Sequence, residues 1–67
     1  MLKSIFAKNL KYYRVNKGYT QEKLAELSGL HRTYISALER ERRNISIDNI
    51  EKLATVLEID AYYLLKQ

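Results

Sequence analysis

Residues 20–38 read TQEKLAELSGLHRTYISAL, and the way this stretch bends decides the fold. Thr20 can cap a helix, with Glu22 favourably placed against the positive end of the helix dipole. Leu24 and Leu27 make the apolar side expected to face inward. Gly29 interrupts the run, and a tight turn between two helices needs a residue that tolerates positive φ. Ala25 is the small residue that steeply crossing helices require at their closest approach. A third helix follows Leu30, and its Ile35 and Leu38 are spaced to lock against Leu24 and Leu30. This is the sequence form of a helix-turn-helix, whose second helix projects into the DNA major groove, although a generic two-helix hairpin can share the spacing.

Outward from that unit, residues 4–17 place Phe6, Leu10 and Tyr13 on one helical stripe beside Ile5, and Gly18 ends the helix. Ser46 is spaced to cap a fourth helix, where Ile50, Leu53, Ala54 and Leu57 give the clearest amphipathic pattern of the chain. Asp60 is placed to cap a short last helix, AYYLLK. No linker, repeat or low-complexity tract intervenes, so residues 1–67 are expected to form one all-α domain of five helices.

Composition narrows the function. A chain of 67 residues has room for one modest core. It has no cysteine, which excludes disulfides and thiolate zinc sites, and the single His31 cannot make a metal cluster alone. Charges interrupt the start every few residues, so no signal peptide or membrane span is read there, and a soluble, cytoplasmic protein is expected. The net charge of +4 is unevenly spread: residues 1–44 hold ten Lys and Arg against four Glu, and residues 45–67 hold two Lys against four acids. A basic front with an acidic rear suggests a polyanion on one side, or else a solvated face whose asymmetry is chance. No nucleophile with a base, carboxylate pair or glycine-rich phosphate loop suggests an enzyme.

At about 100° per residue, with the core midway between Ile35 and Leu38, the third helix points Thr33, Ala37 and Arg40 outward. Ser36 and Arg32 flank them on one side, Tyr34 and Glu41 on the other. Such a strip suits base edges: Arg bonds guanine bidentately, Ser and Thr donate or accept, and small apolar groups meet a thymine methyl. Arg32, in the first turn, is the strongest base-reading candidate, and a solvated surface arginine is the alternative. Glu39 falls within roughly 70° of the core direction, where an unpaired carboxylate is costly, so it needs a partner. Arg14, close to the stripe of the first helix, is the expected one, in a structural ion pair.

The stretch LKYYRVNKGYTQEKLAELSGLHRTYISALERERRNISIDNIEKLATVLEID resembles the helix-turn-helix of phage repressor and Cro proteins, the xenobiotic-response-element family. The matching features are the Arg-x-x-x-Gly-x-Thr-Gln lead-in at Arg14–Gln21, Leu24-Ala25, the turn glycine, Ile35-Ser36, Leu38-Glu39-Arg40 and Leu53-Ala54. GLHRTYIS followed by ERERRNIS is similar to controller proteins of restriction-modification systems. The resemblance implies a dimeric regulator of transcription on double-stranded operator DNA, with RNA polymerase as a further partner left open and neither cofactor nor small-molecule ligand. A phage-type repressor or antitoxin-like autorepressor is the alternative. By position, Gln21 would meet a phosphate, Arg32, Thr33 and Ser36 would face bases, and Tyr34 would touch groove or backbone unless it packs on the protein. Arg43, Asn44 and Ser46 would grip the DNA backbone, Ser46 being equally a helix cap. Two positions depart from the pattern: Glu41 stands where many relatives have glycine, and His31 where a Ser, Asp or Thr cap is usual.

The tail, IDAYYLLKQ, packs Ile59, Tyr62, Tyr63, Leu64 and Leu65 into a very short helix. One face cannot bury them all within the chain, so Ile59, Tyr62, Tyr63 and Leu65 are expected to form a two-fold dimer interface. The recognition helices would then lie about 34 Å apart on a pseudo-palindromic site.

Overall fold

The apolar stripes converge from five helices in the computed structural model, which describes residues 1–67: α1 (Leu2–Asn16), α2 (Gln21–Ser28), α3 (Arg32–Glu39), α4 (Ile47–Leu57) and α5 (Tyr62–Leu65). Leu10, Leu24, Ile35, Leu38, Leu53, Leu57 and Leu64 are essentially withdrawn from water. Each such side chain is worth about 1.5–3 kcal/mol of burial, and they come from all five helices, so no helix can leave without opening the common core. α2 packs on α3 and α4, and α1 packs on α3 and α5. Asn9 of α1 also donates to the carbonyls of Leu64 (3.0 Å) and Lys66 (2.7 Å), which ties down the end of the chain.

The helix ends follow from local chemistry. Thr20 accepts from the Lys23 N–H at 2.9 Å and Ser46 from the Asn49 N–H at 3.1 Å, so α2 and α4 both start on a hydroxyl cap. α1 ends with Gly18 at φ +75°, where Tyr19 N–H reaches the Arg14 carbonyl and Gly18 N–H the Val15 carbonyl. This Schellman closure needs a left-handed residue. Gly29, at φ +76°, ends α2 with one bond to the Ala25 carbonyl.

α3 and α4 close in the same way without glycine. Arg42 N–H meets the Ala37 carbonyl and Glu41 N–H that of Leu38, with Glu41 at φ +62°. Ile59 N–H meets the Ala54 carbonyl and Glu58 N–H that of Thr55, with Glu58 at φ +60°. A side chain in this region costs about 1–2 kcal/mol. Each glutamate is held by a partner on or beside α1: Ser4 Oγ donates to Glu41 at 2.7 Å, and Lys17 pairs with Glu58.

Two expectations about the frame are corrected, and one departure from the usual pattern is accounted for. Leu27 is not on the buried side of α2, being 44% exposed; Leu24 and Ala25 face the core and Leu27 lies at the rim towards α4. Asp60 does not cap α5 with its side chain; its carbonyl takes the Tyr63 N–H, because the chain has already entered a helical turn at Ala61. His31 does cap α3: its Nδ1 accepts from the Thr33 N–H at 3.1 Å, doing the work of the usual hydroxyl or carboxylate.

Candidate nucleic-acid interface

The interface is built on a frame centred on Glu39, whose side chain is 5% exposed at the end of α3. Arg14 Nε donates to Glu39 Oε2 at 2.7 Å and Arg14 Nη2 to Oε1 at 3.1 Å, a two-pronged charge-assisted contact. Arg14 Nη1 donates to the Tyr19 carbonyl at 2.8 Å, and Gln21 Nε2 reaches Glu39 Oε1 at 3.1 Å. One carboxylate thus joins α1, the turn after it, the first residue of α2 and the last residue of α3. Together with the Gly29 turn at the opposite end, this fixes how α3 sits against α2.

Arg32 and Thr33 stand exposed in the first turn of α3, Ser36 and Ala37 are half-buried one turn on, and Arg40 is exposed at the helix end. Thr33 is held by His31, whose Nδ1 lies 2.8 Å from its Oγ1. With Nδ1 accepting from the main chain, the neutral ring carries its proton on Nε2. Arg32 Nε is 3.7 Å from Glu22 Oε2, and the arginine is half exposed. Such a solvated pair contributes little, so Arg32 is free to exchange it for another acceptor.

Two residues make contacts within the chain that their spacing does not reveal. Tyr34 turns away from a base-facing position and packs against the core; its hydroxyl donates to the Asn44 carbonyl at 3.3 Å and accepts from Asn49 Nδ2 at 3.2 Å. The Arg43 guanidinium lies over its ring, 5.3 Å from the centroid, a cation–π contact. An amphipathic ring beside a half-buried groove gains more by covering apolar surface than by standing in water, so Tyr34 braces the loop after α3. Gln21, read as a phosphate contact, commits one amide N–H to Glu39; what remains for an anion is its other amide N–H and the free main-chain N–H groups of the first turn of α2. Ser46 uses its hydroxyl as a helix cap.

Arg43 and Asn44 are exposed at the edge of the α3 strip, joined by Arg42, which the sequence reading passed over although it forms a doublet with Arg43. Asn49 was missed as well, since nothing in its spacing reveals that it meets Tyr34. Arg32, Arg40, Arg42 and Arg43 thus bracket a strip of small hydroxyl and methyl groups, with fixed N–H donors at the start of α2. The arrangement offers hydrogen-bond donors and positive charge over a convex helix, which is chemistry for a phosphate-rimmed groove.

The residues assigned to a dimer interface do not share one face. Ile59 lines a groove with Leu27 and Val56, Tyr63 stacks edge-on against Tyr13 of α1, and Leu65 borders an apolar depression with Leu2, Ile45 and Ile47. An α5 of four residues scatters its side chains around the axis.

A five-helix domain that presents α3 in this way is a helix-turn-helix domain. The helix-turn-helix family model matches residues 10–64, and the chain belongs to that family. It is 53% identical over 64 residues to a hypothetical transcription factor of Neisseria meningitidis serogroup B, covering 96% of this chain and 60% of that one. The chain therefore spans less than two thirds of the length of that relative. The crystal structure of the restriction-modification controller protein C.AhdI from Aeromonas hydrophila superposes with a TM-score of 0.89 at 47% identity, covering 92% of this chain and 94% of that one. SinR, a master regulator of biofilm formation solved in complex with DNA, gives a TM-score of 0.88 at 37% identity over 91% of this chain and 98% of its own.

Proposed function

We propose that the protein is a sequence-specific DNA-binding regulator of transcription that acts in the cytoplasm as a homodimer on a pseudo-palindromic operator. The observation that carries this reading is the outward strip of α3, with Arg32 exposed in its first turn and the helix fixed from both ends. Arg32 and Thr33 read base edges, Ser36 and Arg40 extend the contact along the groove, and Arg43, Asn44 and the start of α2 at Gln21 grip phosphates. The likeness to C.AhdI supports the narrower role of a restriction-modification controller. Contact with RNA polymerase would then use a surface away from α3.

For the dimer we favour the depression beside the α3–α4 loop over the scattered set read from the tail. Ile47 is 78% exposed, and with Leu2 and Leu65 it borders an uncovered apolar depression reaching Asn44. An interface there adjoins the DNA-facing loop, as it must if two α3 helices are to meet one side of a duplex about one turn apart.

Selection from random duplex DNA followed by sequencing tests the reading. A palindrome should emerge, and Arg32→Ala should relax one position in each half-site with a loss of about 1–3 kcal/mol. Affinity should fall steeply with salt. Recovery of no motif would refute sequence-specific binding.

A further inference from the structure

A second surface carries the opposite character to the α3 strip and shares none of its residues. A groove between the C-terminal end of α2 and the outer side of α4 has Leu27, Val56 and Ile59 on its floor and Asp48, Glu51 and Asp60 around it. Lys52 is the one cation on its wall. The chain has eight acids. Glu22, Glu26, Glu39 and Glu58 are each in an ion pair and Glu41 accepts from Ser4. The three acids whose side chains have no partner are therefore the three that line this groove. Leu27, at helical spacing from Leu24, is left uncovered at the same place. A chain of net charge +4 thus gathers its unneutralised carboxylates around an exposed Leu27 and the half-buried Val56 and Ile59.

We propose that this groove docks a basic amphipathic helix of a second protein, its apolar stripe on Leu27, Val56 and Ile59 and its Lys or Arg side chains against Asp48, Glu51 and Asp60. Helices recognise such grooves through apolar anchors at i, i+3 or i+4 and i+7, and complementary charge sets orientation and partner choice. DNA does not fit, because the carboxylates repel phosphate. A two-fold pairing of this face with itself does not fit either, since it would set the same unpaired acids against one another. The inference concerns a face separate from the DNA-facing strip and stands without it.

The test uses the full chain, isotopically labelled, titrated with a synthetic peptide of about 15 residues that bears a leucine stripe flanked by lysines, long enough for several helical turns. Amide resonances of Leu27, Thr55 and Ile59 should shift, and the peptide should gain helicity. Glu51→Lys with Asp60→Lys should weaken binding at least about tenfold, as should Leu27→Asp, with the circular dichroism of the protein unchanged. Arg32→Ala should leave peptide affinity as it is. Absence of binding, shifts located elsewhere, equal binding of a peptide with glutamates in place of lysines, or an undiminished charge-reversed variant would each overturn the proposal. Concentration-dependent shifts of the same amides without peptide would assign the groove to a second copy of the chain instead.

Discussion

Arg14→Ala removes three hydrogen bonds at once: two to the Glu39 carboxylate and one to the Tyr19 carbonyl. What it leaves behind matters more than what it deletes. Glu39 is 5% exposed and Arg14 11%, so the carboxylate would stay largely out of water with only the Gln21 amide as a partner. Removing one member of a buried pair costs about 3–5 kcal/mol, and the surviving Gln21 bond argues for the low end, about 3 kcal/mol. In a domain of this size each kcal/mol moves the midpoint by about 4–8 °C, so the transition should fall by about 12–24 °C. Far-UV circular dichroism during heating and urea titration measures both quantities. Arg14→Met combined with Glu39→Leu should recover much of the loss, because two apolar side chains remove the orphaned charge along with its partner. A loss under about 1 kcal/mol in Arg14→Ala, the value of a solvated pair, would refute the view that Glu39 organises the frame.

Glu41→Gly should stabilise the domain by about 1 kcal/mol, since it relieves a left-handed side chain at φ +62° and gives up only an exposed bond to Ser4; an unchanged or lower melting temperature would show that the Ser4 contact holds more than the backbone strain. Ile47→Asp and Leu65→Asp should each produce a monomer at micromolar concentration in sedimentation, whereas a persisting dimer would move the interface elsewhere. The Lys17–Glu58 pair, through its side-chain hydrogen bond, holds the Glu58 carboxyl below its ordinary 4.5 and the Lys17 ammonium above its ordinary 10.5. Its contribution is therefore complete between those values, fades as pH falls through the lowered Glu58 value, and fades again as pH rises through the raised Lys17 value. Glu58→Gln should flatten the acid side of a melting-temperature profile; an unaltered profile would show that the pair does not couple to folding.

The helix ends and stripes were legible because their causes lie within a few residues of one another. Thr20 and Ser46 sit directly before helices, Gly18 and Gly29 supply positive φ where two helices stop, and Ile50, Leu53, Ala54 and Leu57 repeat with the helical period. Glu39 could be aimed inward from α3 alone, since projection needs only the angle between residues. What could not be read was which surface an aimed side chain meets. Leu27 has the spacing of a buried residue, yet its position relative to α4 leaves it at a rim. Tyr34 meets Asn44 of the loop after α3 and Asn49 of α4, which lie 10 and 15 residues away.

The remaining departures have the same origin. Glu58 has no local sign of a left-handed backbone; it adopts one because Ile59 must turn back toward the core and Lys17, 41 residues distant, holds its side chain. The tail shows its excess of apolar groups in sequence, but only packing against α1 and α4 divides them among a buried Leu64, a stacked Tyr63 and an uncovered Leu65. Sequence by itself determined five helices, the glycine stops of the first two and the direction of α3, because those depend on local dihedrals and helical period. The tertiary structure decided which side chains are spent on the frame and which remain for a partner, because that depends on contacts between residues far apart in the chain.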